Sequence, residues 1–243
     1  MLVAALATFI TLHKVDAGYG ILYTSKWGPA INNRFGWILM EIPAFTTMLL
    51  LWLLSPRATE PALAVMAALF ELHYFQRTFI FPMLIRGNSR MPLIIIALGF
   101  IFNVVNAYLI GGWLFYVAPA DYYGADWLLS PTFIAGTLIF FAGMTININS
   151  DHIVRHLRKP GDTRHYIPRG GCFRYVTSAN YFGELTEWVG YAILTWCVGG
   201  FTFAIWTFAN LAPRARTLHR RYIAEFGDDY RALRRRYIIP FIY

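Results

Sequence analysis

The sequence predicts an all-α fold: a polytopic integral membrane protein that forms a single domain over residues 1–243. Hydrophobic residues make up 57% of the 243 positions and charged residues only 14%, whereas a soluble domain carries about a quarter charged residues. The mean hydropathy is +0.46. Apolar segments of helix length recur along the whole chain, and basic residues gather in alternate connections. Together these features indicate about seven transmembrane helices.

Seven apolar segments approach the roughly 20 residues that a helix needs to cross a bilayer. They are residues 1–13, 36–55, 61–84, 91–118, 131–150, 178–198 and 200–218. The first is interpreted as a span because it lacks the basic start and small-residue cleavage site of a signal peptide. The sixth and seventh run together, and Gly199-Gly200 predicts the break between them.

The distribution of charge predicts the orientation. Most Lys and Arg residues fall in residues 14–35, 85–90, 151–177 and the C-terminal end. The 119–130 connection instead carries Asp121 and Asp126 and no base. The positive-inside rule then places the N-terminus outside and the C-terminus in the cytoplasm. The expected location is the endoplasmic reticulum in a eukaryote or the inner membrane in a bacterium. The net charge of +8 indicates contact with membrane lipid rather than nucleic acid.

Polar residues within the apolar segments form stripes. A charge at the centre of a bilayer costs about 2.5–3.5 kcal/mol, so these side chains should face the protein interior. One stripe contains Asn147, Asp151, Arg155 and Arg158, and a second contains Asn180, Glu184, Glu187 and Tyr191. Their spacings of three and four residues place each set on one helix face. Such stripes either hold helices together or line a polar cavity. Several stripes near the basic loops favour a cavity in which Arg binds phosphate.

Several other types of site are not supported. No G-x-G-x-x-G opens a helix after a strand, and there is no P-loop. The six His residues are scattered, so no metal is predicted. No nucleophile elbow surrounds a serine. Cys172 and Cys197 are predicted to pack as thiols rather than to form a disulfide.

Four segments carry a family resemblance. They read ELHYFQRTF, ININSDHIVRHLRKPGD, IPRGGCFRYVTSANYFGELTEWVGYAILTW and YIIPFIY. Over about residues 36–243 the chain resembles the steroid 5α-reductases, also called 3-oxo-5α-steroid 4-dehydrogenases. The resemblance implies an NADPH-dependent oxidoreductase acting on CH–CH groups, which reduces the Δ4 double bond of a 3-oxo-Δ4 steroid. It also implies that Tyr74 and Glu41 are the catalytic residues that hold the C3 carbonyl. A buried phenol donor would stabilise the negative charge that hydride transfer builds on that oxygen.

The resemblance also implies a set of NADPH-binding residues. Those expected near the nicotinamide are Arg77, Asn180, Glu184 and Tyr222. Those expected near the adenosine and phosphates are Asn147, Asp151, Arg158, Arg214 and Arg86. No role is predicted for Glu71, His73 or His219, and a longer, more basic stretch than the family's puts a role for Arg234 in doubt.

Three alternatives stay open. The first is a related reductase of another lipid enone or enoyl substrate, such as a polyprenal or an enoyl thioester. The second is a membrane lipid methyltransferase that uses S-adenosylmethionine. The third is a non-catalytic lipid-binding or transport protein. In the main interpretation the partners are a lipophilic steroid and membrane lipid, and the protein is a monomer.

Overall fold

The computed structural model describes residues 1–159, 162 and 164–243, most of which lie in helices. The helices are α1 (Leu2–Lys14), α2 (Asn33–Leu53), α3 (Pro61–Phe75), α4 (Phe81–Leu84), α5 (Leu93–Gly112), α6 (Pro131–Arg155), α7 (Ala179–Thr195), α8 (Val198–Phe226) and α9 (Asp228–Arg231). A π-helical turn, Gln76–Ile80, joins α3 to α4, and another, Trp113–Val117, extends α5. Both cysteines are free thiols, as predicted.

A helix lies at each of the seven predicted segments. Among the described residues, three helical segments are long and apolar enough to cross a membrane, judged by length and composition: Asn33–Leu53, Leu93–Val117 and Pro131–Arg155. The apolar helix Leu2–Lys14 is shorter. These features fit a mostly helical membrane protein.

The predicted break at Gly199-Gly200 is wrong. The chain breaks at Trp196 and Cys197, and both glycines lie inside α8. Trp196 adopts a positive φ of 46°, and the Gly200 amide donates to Cys197 Sγ at 3.3 Å. A Cβ on Gly200 would lie 3.1 Å from Ala192 Cα. The glycine is therefore needed for close approach to the preceding helix rather than to end one.

The all-α prediction missed a small antiparallel sheet. Strand β1 (Ala30–Asn32) pairs with β2 (Arg90–Pro92), with Ile31 opposite Met91. Each strand leads directly into a helix, β1 into α2 and β2 into α5. The sheet therefore places the first turns of α2 and α5 side by side.

Residue contacts divide the chain into two compact units. Unit 1 contains Met1–Asp16, Gly136–Tyr191 and Thr202–Tyr243, and unit 2 contains Ala17–Ala135 and Ala192–Phe201. The single domain over residues 1–243 stays a prediction.

In unit 2, helices α2 and α5 run parallel in close contact at glycines. A Cβ on Gly99 would lie 2.4 Å from Met40 Cγ, and one on Gly111 would lie 2.9 Å from Leu51 Cδ1. The residue numbers of the contacting positions increase together along both helices, which shows that the helices are parallel. Small residues at such an interface let helix backbones approach closely.

Helix α3 runs antiparallel to α2 in the same unit. The ring of Phe45 lies 6.4 Å from that of Phe75, the last residue of α3, while Trp37, earlier on α2, lies 5.1 Å from Phe81, which follows α3. Since α5 is parallel to α2, α3 is antiparallel to α5 as well. This arrangement fixes which turns of α3 and α5 lie at the same level.

In unit 1, α6 and α7 pack antiparallel with almost no separation. A Cβ on Gly143 would lie 2.2 Å from Glu187 N, and one on Gly183 would lie 2.3 Å from Asn147 N. The residue numbers of the contacting positions increase along α6 as they decrease along α7, which shows that the two helices are antiparallel. These glycines bring the polar stripe of each helix against that of the other.

Candidate active site

The predicted catalytic residues Tyr74 and Glu41 meet at a third residue, Asn103. The Tyr74 hydroxyl donates to Asn103 Oδ1 at 3.3 Å. Asn103 Nδ2 donates to the Met40 carbonyl at 2.7 Å and to Glu41 Oε2 at 3.2 Å. Tyr74 is 2% exposed and Asn103 5%. The three side chains form a hydrogen-bonded group, here called the Tyr74 cluster, in which Tyr74 and Asn103 are buried and Glu41 is half-buried.

Asn103 was not among the sequence-predicted residues. Its signal was present as an isolated carboxamide in the apolar run IIIALGFIFNVVNAYLI, with Asn106 one turn later. A carboxamide there must find partners because the lipid offers none. What the sequence did not reveal is the parallel packing of α5 on α2, which brings Asn103 to the level of Glu41.

Arg77 lies in the π-helical turn that follows α3. Its guanidinium carbon lies 4.9 Å from the centre of the Trp37 ring and 4.4 Å from that of Phe81. The residue is 8% exposed. Two cation–π contacts therefore hold a buried charge at one position. The other predicted arginine of this unit, Arg86, follows α4 and is exposed.

In unit 1 the structure brings together three predicted cofactor-binding residues. Asn147 Nδ2 donates to the Asn180 carbonyl at 2.9 Å, and Asn180 Nδ2 donates to Asp151 Oδ1 at 3.2 Å. Asn147 and Asp151 are buried, and Asn180 is half-buried. The close α6–α7 contact at Gly183 explains why these residues meet. We call this group the Asn180 cluster.

The remaining predicted residues of unit 1 differ in exposure. Glu184 is half-buried one turn after Asn180, whereas Arg158 is exposed beyond the end of α6. Arg214, on α8, is half-buried, with its guanidinium 5.3 Å from the ring centre of Tyr181. The first polar stripe therefore runs from the buried Asn147 and Asp151 to the exposed Arg158.

Tyr222 belongs to an aromatic stack on α8 and the C-terminal segment. Its ring lies 5.1 Å from Tyr230 and 5.8 Å from Phe226, at interplanar angles of 22° and 28°. Burial raises the pKa of the Tyr222 phenol to about 12. The phenol therefore stays protonated and can donate a hydrogen bond at neutral pH.

His219, to which no role was assigned, is part of a buried hydrogen-bonded chain. Thr177 Oγ1 lies 2.6 Å from His219 Nδ1 and 2.7 Å from the Tyr230 hydroxyl. Burial, with a smaller contribution from the charge of Arg235, lowers the pKa of His219. The imidazole is therefore neutral at physiological pH and ties α8 to the C-terminal segment.

Arg235 is a candidate cofactor-binding residue that sequence reasoning missed. It is 7% exposed, while its neighbours Arg234 and Arg236 are exposed. Its Nη2 donates to the Pro168 carbonyl at 2.8 Å and its guanidinium lies 5.7 Å from the ring centre of Tyr230, while Nε and Nη1 are buried with no hydrogen-bond partner among the described residues. The bridge between Val176 and Arg236 sets this register. A run of three arginines cannot by itself show which one points inward.

Part of one family motif lies outside the described residues, namely Pro160 and Gly161, as does Thr163. The predicted basic loop 151–177 is therefore described only in part. Among the residues that are described, no group of three or more His, Cys, Asp or Glu side chains could hold a metal ion.

The family model for 3-oxo-5-alpha-steroid 4-dehydrogenase matches residues 89–243 of the chain. The chain belongs to this family. It is 42% identical to mouse 3-oxo-5-alpha-steroid 4-dehydrogenase 1, over 98% of the chain and 92% of that relative. The identity to the human protein of the same name is also 42%, over 98% and 90%. It is 36% for the Arabidopsis thaliana steroid 5-alpha-reductase DET2, over 97% and 91%.

Family membership confirms the resemblance and the predicted oxidoreductase class. The family model covers the Asn180 cluster and Arg235. Tyr74 and Glu41 precede the matched residues but lie within the alignments to the relatives, which cover nearly the whole chain.

Proposed function

We propose that the chain uses NADPH to reduce the Δ4 double bond of 3-oxo-Δ4 steroids, giving 5α-reduced 3-oxosteroids. The observation that carries this proposal is the Tyr74 cluster, in which a phenol donor and a carboxyl group both form a hydrogen bond with the Asn103 carboxamide. The family supports the reaction class, since the relatives reported above are named as 3-oxo-5-alpha-steroid 4-dehydrogenases or as a steroid 5-alpha-reductase. NADPH would supply the hydride that adds to C5.

In this proposal the Tyr74 hydroxyl donates a hydrogen bond to the C3 carbonyl of the substrate. It has a single O–H, so donation to a substrate would replace its present hydrogen bond to Asn103 Oδ1. Asn103 Nδ2 would still hold Glu41. As the hydride arrives, negative charge moves to the C3 oxygen. A donor already fixed in a low-dielectric interior stabilises such charge most effectively.

The Asn180 cluster is suited to the ribose hydroxyls of a dinucleotide. Asp151 offers carboxylate oxygens, and Asn147 and Asn180 offer amides within one hydrogen-bonded group. Arginines of the same unit suit phosphate. Those proposed are Arg158, Arg214 and Arg235. Glu184 and Tyr222, and in unit 2 Arg77 and Arg86, keep their cofactor-binding roles as predictions.

The proposed setting is a monomer with seven spans, an external N-terminus and a cytoplasmic C-terminus. The three long apolar helices support insertion in a bilayer, and the gathering of Lys and Arg in alternate connections supports the orientation. The membrane is proposed to be the endoplasmic reticulum or a bacterial inner membrane, according to the host. A lipophilic steroid would enter from that membrane.

The test is the variant Tyr74→Phe, which keeps the ring and removes the O–H. In membranes supplied with a Δ4-3-ketosteroid we expect NADPH-dependent turnover to fall by about 100-fold or more, the usual cost of losing one donor to a developing oxyanion. Binding of NADPH should remain. Tyr108→Phe is the matched control, because Tyr108 is 60% exposed on α5. Undiminished turnover in Tyr74→Phe would remove the phenol from the mechanism.

Two further measurements separate the alternatives. A panel of lipid enones and enoyl thioesters would show whether a steroid is the preferred substrate. Identification of the nucleotide that co-purifies with the detergent-extracted protein would distinguish NADP(H) from S-adenosylmethionine. Co-purified S-adenosylmethionine with no NADP(H) would contradict the proposed function.

A further inference from the structure

Two buried polar side chains next to the Tyr74 cluster have no protein partner among the described residues. Glu71 is 8% exposed, and neither carboxyl oxygen has a hydrogen-bond partner there. Asn106 is 0% exposed, and the same holds for its Nδ2 and Oδ1. Neither residue is used by the proposed mechanism.

Their positions place them at one level. Glu71 precedes Tyr74 by three residues on α3, and Asn106 follows Asn103 by three residues on α5. Because α3 and α5 are antiparallel, these two steps lead in the same direction along the helices. Each step rises by roughly 4.5 Å. Residues three apart also share a helix face. Glu71 and Asn106 therefore form a second polar layer, one turn beyond the hydrogen bond between Tyr74 and Asn103.

This layer requires a hydrogen-bonding occupant. A buried polar group left unpaired costs about 1–3 kcal/mol, and four atoms are involved here. Buried water is the usual solution, since each molecule makes about three hydrogen bonds to otherwise unpaired groups. Asn106 offers donors and an acceptor, and Glu71 offers acceptors or, as the acid, one donor. Water, which both donates and accepts, fits this combination.

We propose that Glu71 and Asn106 hold ordered water beside Tyr74, and that Glu71 supplies through this water the proton that the reduction requires. The inference rests on the proposed function. It adds a water-binding site and gives Glu71 a role in proton supply.

The proton balance is as follows. The hydride forms the new C5–H bond, the C4–C5 π pair becomes a C3–C4 π bond, and the C3=O π pair moves onto the oxygen held by Tyr74, which gives an enolate. The held water gives a proton to C4, which restores the C3 carbonyl. Glu71 gives its carboxyl proton to the resulting hydroxide, and solvent then reprotonates the Glu71 carboxylate. One hydride and one proton are consumed for each double bond.

The kinetic test uses Glu71→Gln, which keeps the shape and polarity of the side chain but cannot supply a proton. We expect kcat to fall by about 100-fold, the lower end of the usual range for acid–base groups. The solvent deuterium isotope effect should rise, and the pH profile of kcat should change. KM and the dissociation constant for NADPH should stay the same. Glu60→Gln is the matched control, because Glu60 pairs with Arg57 at 2.8 Å near the start of α3.

A spectroscopic test needs no turnover. Infrared spectra of the ligand-free protein should contain a carboxylic acid C=O band that shifts in D2O, is lost in Glu71→Gln and persists in Glu60→Gln. If Glu71→Gln does not fold, Asn106→Leu should lower kcat in the same way, because it removes half of the water site. That band should also move in Asn106→Leu, since the acid loses its water.

The possible failures can be told apart. Wild-type kcat and isotope effect in Glu71→Gln, in a preparation that reduces the steroid, would overturn this inference and leave the proposed function intact. So would the absence of a Glu71-dependent infrared band. A wild-type protein that does not reduce any enone with NADPH would overturn both.

Discussion

Replacing Gly183 by alanine tests the close packing that assembles the Asn180 cluster. A Cβ at this position would lie 2.3 Å from Asn147 N, 2.8 Å from Asn147 Cα and 2.8 Å from the Gly143 carbonyl oxygen. All three neighbours are backbone atoms, so no side chain can move aside. Ordinary contacts of this kind are 3.4–4 Å. Helices α6 and α7 must therefore separate by roughly 1 Å to accommodate the methyl group.

The separation should have two measurable consequences. Overpacking of this kind costs about 1–3 kcal/mol, so the melting temperature of the detergent-solubilised protein should fall. The 2.9 Å and 3.2 Å hydrogen bonds that Asn180 makes to Asn147 and Asp151 should lengthen or break. At about 1 kcal/mol each, their loss should weaken NADPH binding by roughly tenfold or more.

The assay is a thermal melt and an NADPH titration of Gly183→Ala beside Gly112→Ala. Gly112 also lies in a helix, but a Cβ there would meet nothing within 4 Å. Alanine favours a helix over glycine by about 0.5–1 kcal/mol, so the control should be neutral or slightly more stable. If Gly183→Ala behaves like this control in both assays, the close α6–α7 contact does not assemble the cluster.

Two further predictions concern the C-terminal part of unit 1. Arg235→Met should weaken NADPH binding about tenfold or more, because a charge-assisted hydrogen bond contributes about 1.5–3 kcal/mol. Arg231→Met, at an exposed arginine paired with Asp228, should not, and equal titrations would contradict the assignment. Burial lowers the pKa of His219, so folding favours the neutral ring. Stability should be full above the unfolded-state pKa of about 6.5 and be lost as the pH falls through the lower folded-state pKa. Thermal melts should show a smaller loss on acidification for His219→Gln, and an unchanged loss would refute this.

Local patterns predicted the helices well. The segments predicted at residues 61–84 and 91–118 correspond to α3 with its π-helical turn and α4, and to α5 with its extension. Apolar runs of this length leave the backbone few alternatives to a helix, because its polar groups must be satisfied internally. Helix breaks were harder to predict. Gly199-Gly200 indicated one, but those glycines serve a close contact between helices.

Composition and apolar segment length determined the helical membrane character of the chain without coordinates. The resemblance carried by four sequence segments indicated the family and the oxidoreductase class, and it implied roles for Tyr74, Glu41 and Asn180. Only the tertiary structure showed that Asn103 joins the first two and that Asn147 and Asp151 both bond to the third.

It was also the tertiary structure that turned Arg235 inward and placed Glu71 at the level of Asn106. The physical reason is the same in each case. Sequence periodicity shows which residues share a face of one helix, because that depends on local backbone geometry. Periodicity does not show which residues of two neighbouring helices face each other, because that depends on the direction and register of those helices. In this protein, glycine contacts, a short sheet and one backbone bridge set that register.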